Sequence, residues 1–131
     1  MDTEDLIRRI IGAAITVHKE LGPGYLESVY ETALTVELNS LGIRYESQKT
    51  VDILFHGKKV GEHRLDLVVE DIVIVENKAV QNLDQIFFVI VRSYLKAANL
   101  KDALLLNFAA MPLTIKRVGQ EDTHRHLSDD R

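Results

Sequence analysis

In the N-terminal third of the chain, apolar positions recur at helical spacing. Leu6, Ile10, Ala13, Val17 and Leu21 form one stripe, and Ile7, Ile11 and Ala14 widen it. Thr3 is the expected cap, with Glu4 and Asp5 in the first turn, where the helix dipole favours negative charge. Gly22-Pro23-Gly24 should end the helix, because Gly suits a left-handed cap and Pro cannot continue. A second helix is predicted over 25–41, with Leu26, Tyr30, Ala33, Leu34, Leu38 and Leu41 in one arc and Gly42 after it. Glu27 falls inside that arc, near Leu34 and Leu38, an unusual place for a carboxylate. Its plain reading is a partly exposed acid at the helix N-terminus, favoured by the dipole.

From Ile43 the period changes. Val51, Ile53 and Phe55 alternate with Asp52 and Leu54, and His56-Gly57-Lys58 reads as a turn. Strands are predicted over 60–69 and 72–80, joined at Glu70-Asp71. On the first, Leu65, Leu67 and Val69 should share a face, leaving Asp66 and Val68 on the other. On the second, Ile72, Ile74, Glu76 and Lys78 share a face opposite Val73, Val75 and Asn77. The run Ile72-Val73-Ile74-Val75 is apolar on both faces, as befits a central strand. A third helix is predicted over 82–98, with Leu83, Ile86, Phe87, Ile90, Val91, Tyr94 and Leu95 inward, then short strands over 103–108 and 113–118. The result is an α/β domain over 1–118, helices on a central sheet in the order α-α-β-β-β-α-β-β, with a polar, fraying tail over 119–131.

Composition narrows the chemistry. With 131 residues, 46% apolar and 27% charged, the chain can build one core without staples. It has no cysteine, so disulfides and thiolate metal sites are excluded and a metal must be held by oxygen or imidazole. The formal net charge of −4 counts against nucleic-acid binding by bulk charge, so such a role needs local basic groups or a metal that offsets the carboxylates. The N-terminus has neither the basic start nor the apolar run of a secretory signal, and no stretch is long enough to span a bilayer. A cytoplasmic protein without a membrane partner is expected.

One constellation carries chemistry. A three-residue connection around Asp71 would set Asp66 opposite Glu76 on antiparallel strands, about 4.5–5.5 Å apart. A two-residue turn would shift the pairing by one. Lys78 lies on the same face as Glu76. Two hard oxygen ligands suit Mg²⁺ or Mn²⁺, which keep waters in their shell. A lysine beside such a site can orient a nucleophile and stabilise negative charge, which points to phosphodiester hydrolysis. The rival reading is a same-face ion pair of Glu76 and Lys78, with Asp66 completing the cluster. Glu76 follows an apolar strand, however, and buried charges are costly unless paired or metal-bound.

At these residues the chain resembles the PD-(D/E)xK nuclease superfamily, through its GxxExxY branch. The naming motif stands as Gly24-Tyr25-Leu26-Glu27-Ser28-Val29-Tyr30. Gly57-Lys58-Lys59-Val60-Gly61 and Leu65-Asp66-Leu67-Val68-Val69 are similar to the family's central hairpin, and Glu76-Asn77-Lys78 to its E-x-K strand. Ser93-Tyr94-Leu95-Lys96 resembles its third helix and Leu105-Leu106-Asn107-Phe108 its late strand, so the likeness runs over residues 6 to 118. The resemblance implies a restriction-endonuclease-like fold with a mixed sheet, and a Mg²⁺-dependent nuclease (Mn²⁺ substituting) acting on DNA or RNA. It makes Glu27, Asp66 and Glu76 the metal ligands, with Lys78 beside the attacking water. Asp66, Glu76 and Lys78 then form the catalytic set, and Tyr30 and Tyr94 stand at the site's edge. Asn77 is expected to contribute mainly its backbone carbonyl.

One departure stands out: related nucleases carry Gln one turn before the third-helix Tyr, where this chain has Ile90. With the apolar run Ile86-Phe87-Phe88-Val89-Ile90-Val91, this favours the alternative of an inactive nuclease-fold binding or assembly module, with the third helix buried in a homodimer. The remaining candidates carry less. His18, His56 and His63 lack metal spacing and read as surface or turn residues, and His124 and His126 share the tail. Lys58-Lys59 with Arg64, and Lys116-Arg117, read as solvated strand ends that can also meet phosphates.

Overall fold

Asp2, rather than Thr3, caps the first helix of the computed structural model, which describes residues 2–120. The Asp2 carboxylate accepts a hydrogen bond from the Asp5 backbone N–H at 3.3 Å, adding a full negative charge to the positive end of the dipole. Helix α1 (Thr3–Leu21) buries Leu6, Ile7, Ile10, Ala13, Ala14 and Val17. Helix α2 (Glu27–Ser40) is shorter than the predicted 25–41 and buries Tyr30, Leu34 and Leu38. Leu26 and Leu41 fall just outside it and are exposed. Its start is delayed because Gly24 stands at φ 113°, and the Tyr25 N–H donates to the Tyr30 hydroxyl (3.2 Å).

Strands β1 (Tyr45–Phe55), β2 (Lys58–Val69) and β3 (Val73–Lys78) form a meander, helix α3 (Gln85–Ala98) crosses over, and β4 (Asp102–Asn107) and β5 (Thr114–Gly119) complete the sheet. The five strands lie in the order β1-β2-β3-β4-β5, antiparallel except for the parallel β3–β4 pair. This is the expected order of elements on a mixed sheet. The β1–β2 turn is His56-Gly57, both at positive φ, between the paired Phe55 and Lys58. Such two-residue turns match the right-handed twist of the strands. Strand β5 runs through Gly119, into the predicted tail. Residues 121–131 of that tail, with His124 and His126, lie outside the described residues.

The sheet divides two cores. Helices α1 and α2 cover Leu67, Val69, Val73, Val75, Leu104, Leu106 and Phe108 on one face. On the other, α3 covers Leu65, Val68, Ile74, Ala103, Leu105 and Val118. Leu65 is thus not on the face of Leu67 and Val69. Alternation breaks between Leu65 and Leu67, opposite Gln48, which stands at φ 54° and drops out of the ladder together with Asp66. Helix α3 buries only Val91 and Leu95 fully, while Ile86 and Ile90 are exposed rather than inward. It is the only described helix on its face of the sheet, so nothing described covers its outer side. No described helix is long and apolar enough to cross a membrane.

Candidate functional site

The β2–β3 hairpin sets the geometry. Leu67 pairs with Val75, Val68 with Ile74 and Val69 with Val73, a register that brings Asp66 level with Glu76. Three residues, 70–72, connect the strands, and the Ile72 N–H donates to the Val69 carbonyl at 2.9 Å. Glu70 and Asp71 both have positive φ (53° and 57°), uncommon for residues other than Gly. A reciprocal clasp holds Glu70 there: its N–H donates to the Arg44 carbonyl (2.9 Å), and the Arg44 N–H donates to its carboxylate (2.8 Å).

At the level of Asp66, carboxylates take the place of ladder carbonyls. The Asp66 N–H donates to Glu76 Oε1 (3.1 Å), and the Asn77 N–H donates to Asp66 Oδ2 (2.9 Å). Each acid therefore caps the other strand's backbone. Glu76 is buried (4% exposed) and Asp66 half-buried. Burial first, then the neighbouring Asp66 charge, push the Glu76 carboxyl up to about 9. Burial together with the Glu76 and Asp66 charges also raises the phenol of Tyr94 on α3.

Lys78 leaves the same strand on the same face, but its ammonium forms no ion pair with either acid. It lies 4.8 Å from the centre of the Phe87 ring, a cation–π contact in place of an ion pair. The ion-pair reading of Glu76 and Lys78 is thereby replaced by a carboxylate pair with a separate cation. The strand's exit is fixed on three sides. Glu27 Oε2 accepts from the Ala79 N–H (3.0 Å), and the Phe108 N–H donates to the Lys78 carbonyl (2.8 Å). The Asn107 side chain accepts from the Val80 N–H (3.1 Å) and donates to the Val80 carbonyl (2.9 Å).

Glu27 is exposed at the first position of α2, as its plain reading expected, yet it reaches the end of the E-x-K strand. Tyr30 lies in the opposite core, fully buried. Its hydroxyl donates to the Gly22 carbonyl (2.6 Å), and its ring stacks on Phe108 at 4.5 Å. It braces the turn before Glu27 rather than edging the carboxylates. The Asn77 N–H donates to Asp66 Oδ2, while both polar atoms of its buried side chain lack a hydrogen-bond partner among the described residues. The part played by Asn107 was invisible in the sequence, because it acts on a strand far away along the chain. His18 is buried, with Nε2 2.9 Å from the Ala110 carbonyl oxygen. Arg117 is committed to Glu4 (2.8 Å) and Asp102 (2.9 Å), and Lys59 to Asp52 (3.3 Å) and Glu62 (3.0 Å), so neither is a free phosphate contact.

The donor set fits a hard divalent cation. Two facing carboxylates, one held protonated by burial and by its neighbour, form a pair short of positive charge. Among the described residues no three acidic or imidazole side chains gather into a cage. Mg²⁺ often takes only one or two protein carboxylates and keeps several waters.

A family model of the PD-(D/E)XK nuclease superfamily matches residues 4–118. Among solved structures, the one titled "Crystal structure of SSO0001" superposes with a TM-score of 0.56 at 15% identity, over 79% of this chain and 55% of that one. The present chain thus spans about half that protein's length, and the likeness is one of fold. No curated protein matches the sequence.

Proposed function

This chain belongs to the PD-(D/E)XK nuclease superfamily, with a restriction-endonuclease-like fold, and from that premise we propose that it is a Mg²⁺-dependent nuclease hydrolysing phosphodiester bonds of nucleic acid. The observation that carries the reading is the interlocked pair Asp66–Glu76 beside the unpaired ammonium of Lys78. Asp66 and Glu76 would hold the cation; Glu27, the third expected ligand, reaches the Ala79 N–H at the exit of β3 and is not gathered with them. A bound divalent cation supplies polarisation of a phosphoryl oxygen and neutralisation of developing charge. Lys78, carried on a rigid strand, orients the attacking water and stabilises the anionic transition state. Glu27, Asn107 and Phe108 fix the backbone at Lys78 and the two residues after it, so the ammonium's position does not depend on a free strand end.

Two measurements test this. Calorimetric titration of Mn²⁺ should give stoichiometric binding that Asp66→Ala and Glu76→Ala both abolish. Cleavage of a panel of DNA and RNA strands should fall about 10²- to 10⁴-fold in Lys78→Ala while its melting temperature is kept. Undiminished cleavage by purified Lys78→Ala would sink the proposal.

A second reading rests on α3. Ile86, Val89 and Ile90 are 54%, 52% and 37% exposed, at the spacing of one helix face. An assembly role, as a homodimer that covers this face, accounts for that stripe, and it is compatible with catalysis.

A further inference from the structure

Beyond Tyr94, on the α3 side of the sheet, a groove of about 350 Å³ runs between the β1–β2 hairpin and α3. Asp52, Ile53, Leu54 and His63 line it from the strands, Ser93 and Lys96 from the helix. It adjoins the carboxylate pair through two rings: His63 stands edge-on to Tyr94, with centroids 4.6 Å apart at 65°. His63 Nε2 is 3.3 Å from Ser93 Oγ, so a ring nitrogen and a hydroxyl meet at the floor. His63 precedes Asp66 by three residues on the same strand, a separation of about 10 Å.

The chemistry of the walls is mixed. Leu54 is 63% exposed and offers a flat apolar surface at the strand end. Asp52 shares the Lys59 ammonium (3.3 Å) with Glu62 (3.0 Å) and is drawn toward it, whereas Lys96, across the groove, makes no ion pair among the described residues and is the lining cation open to a ligand. A groove that is apolar on one side, polar at the floor and cationic at the rim matches one nucleotide unit. The base lies against Ile53 and Leu54, polar edges reach His63 and Ser93, and a phosphate reaches Lys96. The volume suits one base with its sugar and is far too small for a base pair with both strands. Stacked nucleotides advance about 3.4 Å each, so a 10 Å offset lies within about three nucleotides of the scissile bond.

We propose that this groove is a nucleotide subsite that holds one unpaired nucleotide of the strand whose neighbouring phosphodiester meets Asp66, Glu76 and Lys78. It follows that the substrate is single-stranded, or frayed, next to the cut. The inference rests on the nuclease reading but has its own readout.

The test is fluorescence anisotropy of a labelled deoxythymidine hexamer with Ca²⁺ replacing Mg²⁺. Wild type is compared with His63→Ala, Lys96→Glu and a control outside the groove, Lys101→Glu, each checked by thermal melting. His63→Ala and Lys96→Glu should each weaken binding about fivefold or more, Lys101→Glu less than twofold, and the blunt duplex of the same length should bind more weakly than the strand. Equal losses in Lys96→Glu and Lys101→Glu, tighter binding of the duplex, or no binding of the hexamer at millimolar protein would each overturn the subsite. Metal-dependent cleavage that needs Lys78 but ignores Lys96→Glu and His63→Ala would remove the subsite and leave the nuclease standing. Groove-dependent binding with no cleavage under any divalent cation would keep the subsite and remove the nuclease.

Discussion

Glu76 illustrates how one residue can tie stability to chemistry. The folded chain keeps its proton up to about 9, for burial and Asp66 both oppose the anion, whereas an unfolded glutamate releases it near 4.3. Between those values the folded state binds more protons than the unfolded one, so stability falls as pH rises and is fully present only below the range. In EDTA, the denaturant midpoint should therefore drop from pH 5 to pH 9, and Glu76→Gln should flatten the curve. Parallel curves for wild type and variant would refute the assignment. A divalent cation should reverse the trend and release protons as it binds. Asn77 supplies a second test. Its side-chain amide is buried with neither polar atom bonded, so Asn77→Leu, similar in shape, should hold or raise stability by about 1 kcal/mol in urea melts. A large loss would mean that the amide has a partner that the protein-only geometry lacks.

Among the elements, the turn between α1 and α2 does more than reverse the chain. The Tyr30 hydroxyl serves two backbone groups there, the Gly22 carbonyl and the Tyr25 N–H. Tyr30→Phe should cost about 1–2 kcal/mol by leaving both without their partner. Gly24→Ala should cost about 1–3 kcal/mol through strain at φ 113°, since no atom blocks the added Cβ. Both are read by chemical denaturation. These elements were legible in the sequence to differing depth. Helix stripes and strand alternation reported the order of elements, but the facing of Asp66 and Glu76 stayed open between a two- and a three-residue connection until the register settled it. The Leu65 reversal was not legible, because it follows from Gln48 on another strand. Nor was the burial of Tyr30 away from the site, since helical spacing gives a face but not which core receives it. Asn107 and the His63–Ser93 contact arise only when distant segments meet.

At the scale of the whole molecule, the two faces of the sheet are treated unequally. Two helices seal one side, while the other carries α3 alone with Ile86, Val89 and Ile90 outward. If that stripe joins two copies, sedimentation velocity should show a concentration-dependent dimer that Val89→Lys converts to monomer with its melting temperature unchanged. A wild-type monomer at high micromolar concentration would remove the assembly reading.

The clasp of Arg44 on Glu70 also has a consequence for how this chain can change over evolutionary time. Side chains alternate along a strand, so one residue added to or lost from the 70–72 connection would turn either Asp66 or Glu76 to the wrong face while leaving the sheet paired. The length of that connection is therefore what keeps the two acids together, with the Glu70 carboxylate on Arg44 holding its shape. The turn at His56-Gly57, at the far end of the hairpin arm, has no such burden. An insertion-scanning library should therefore tolerate an extra residue at 56–57 and reject one at 70–72, even where the variants that fail still fold.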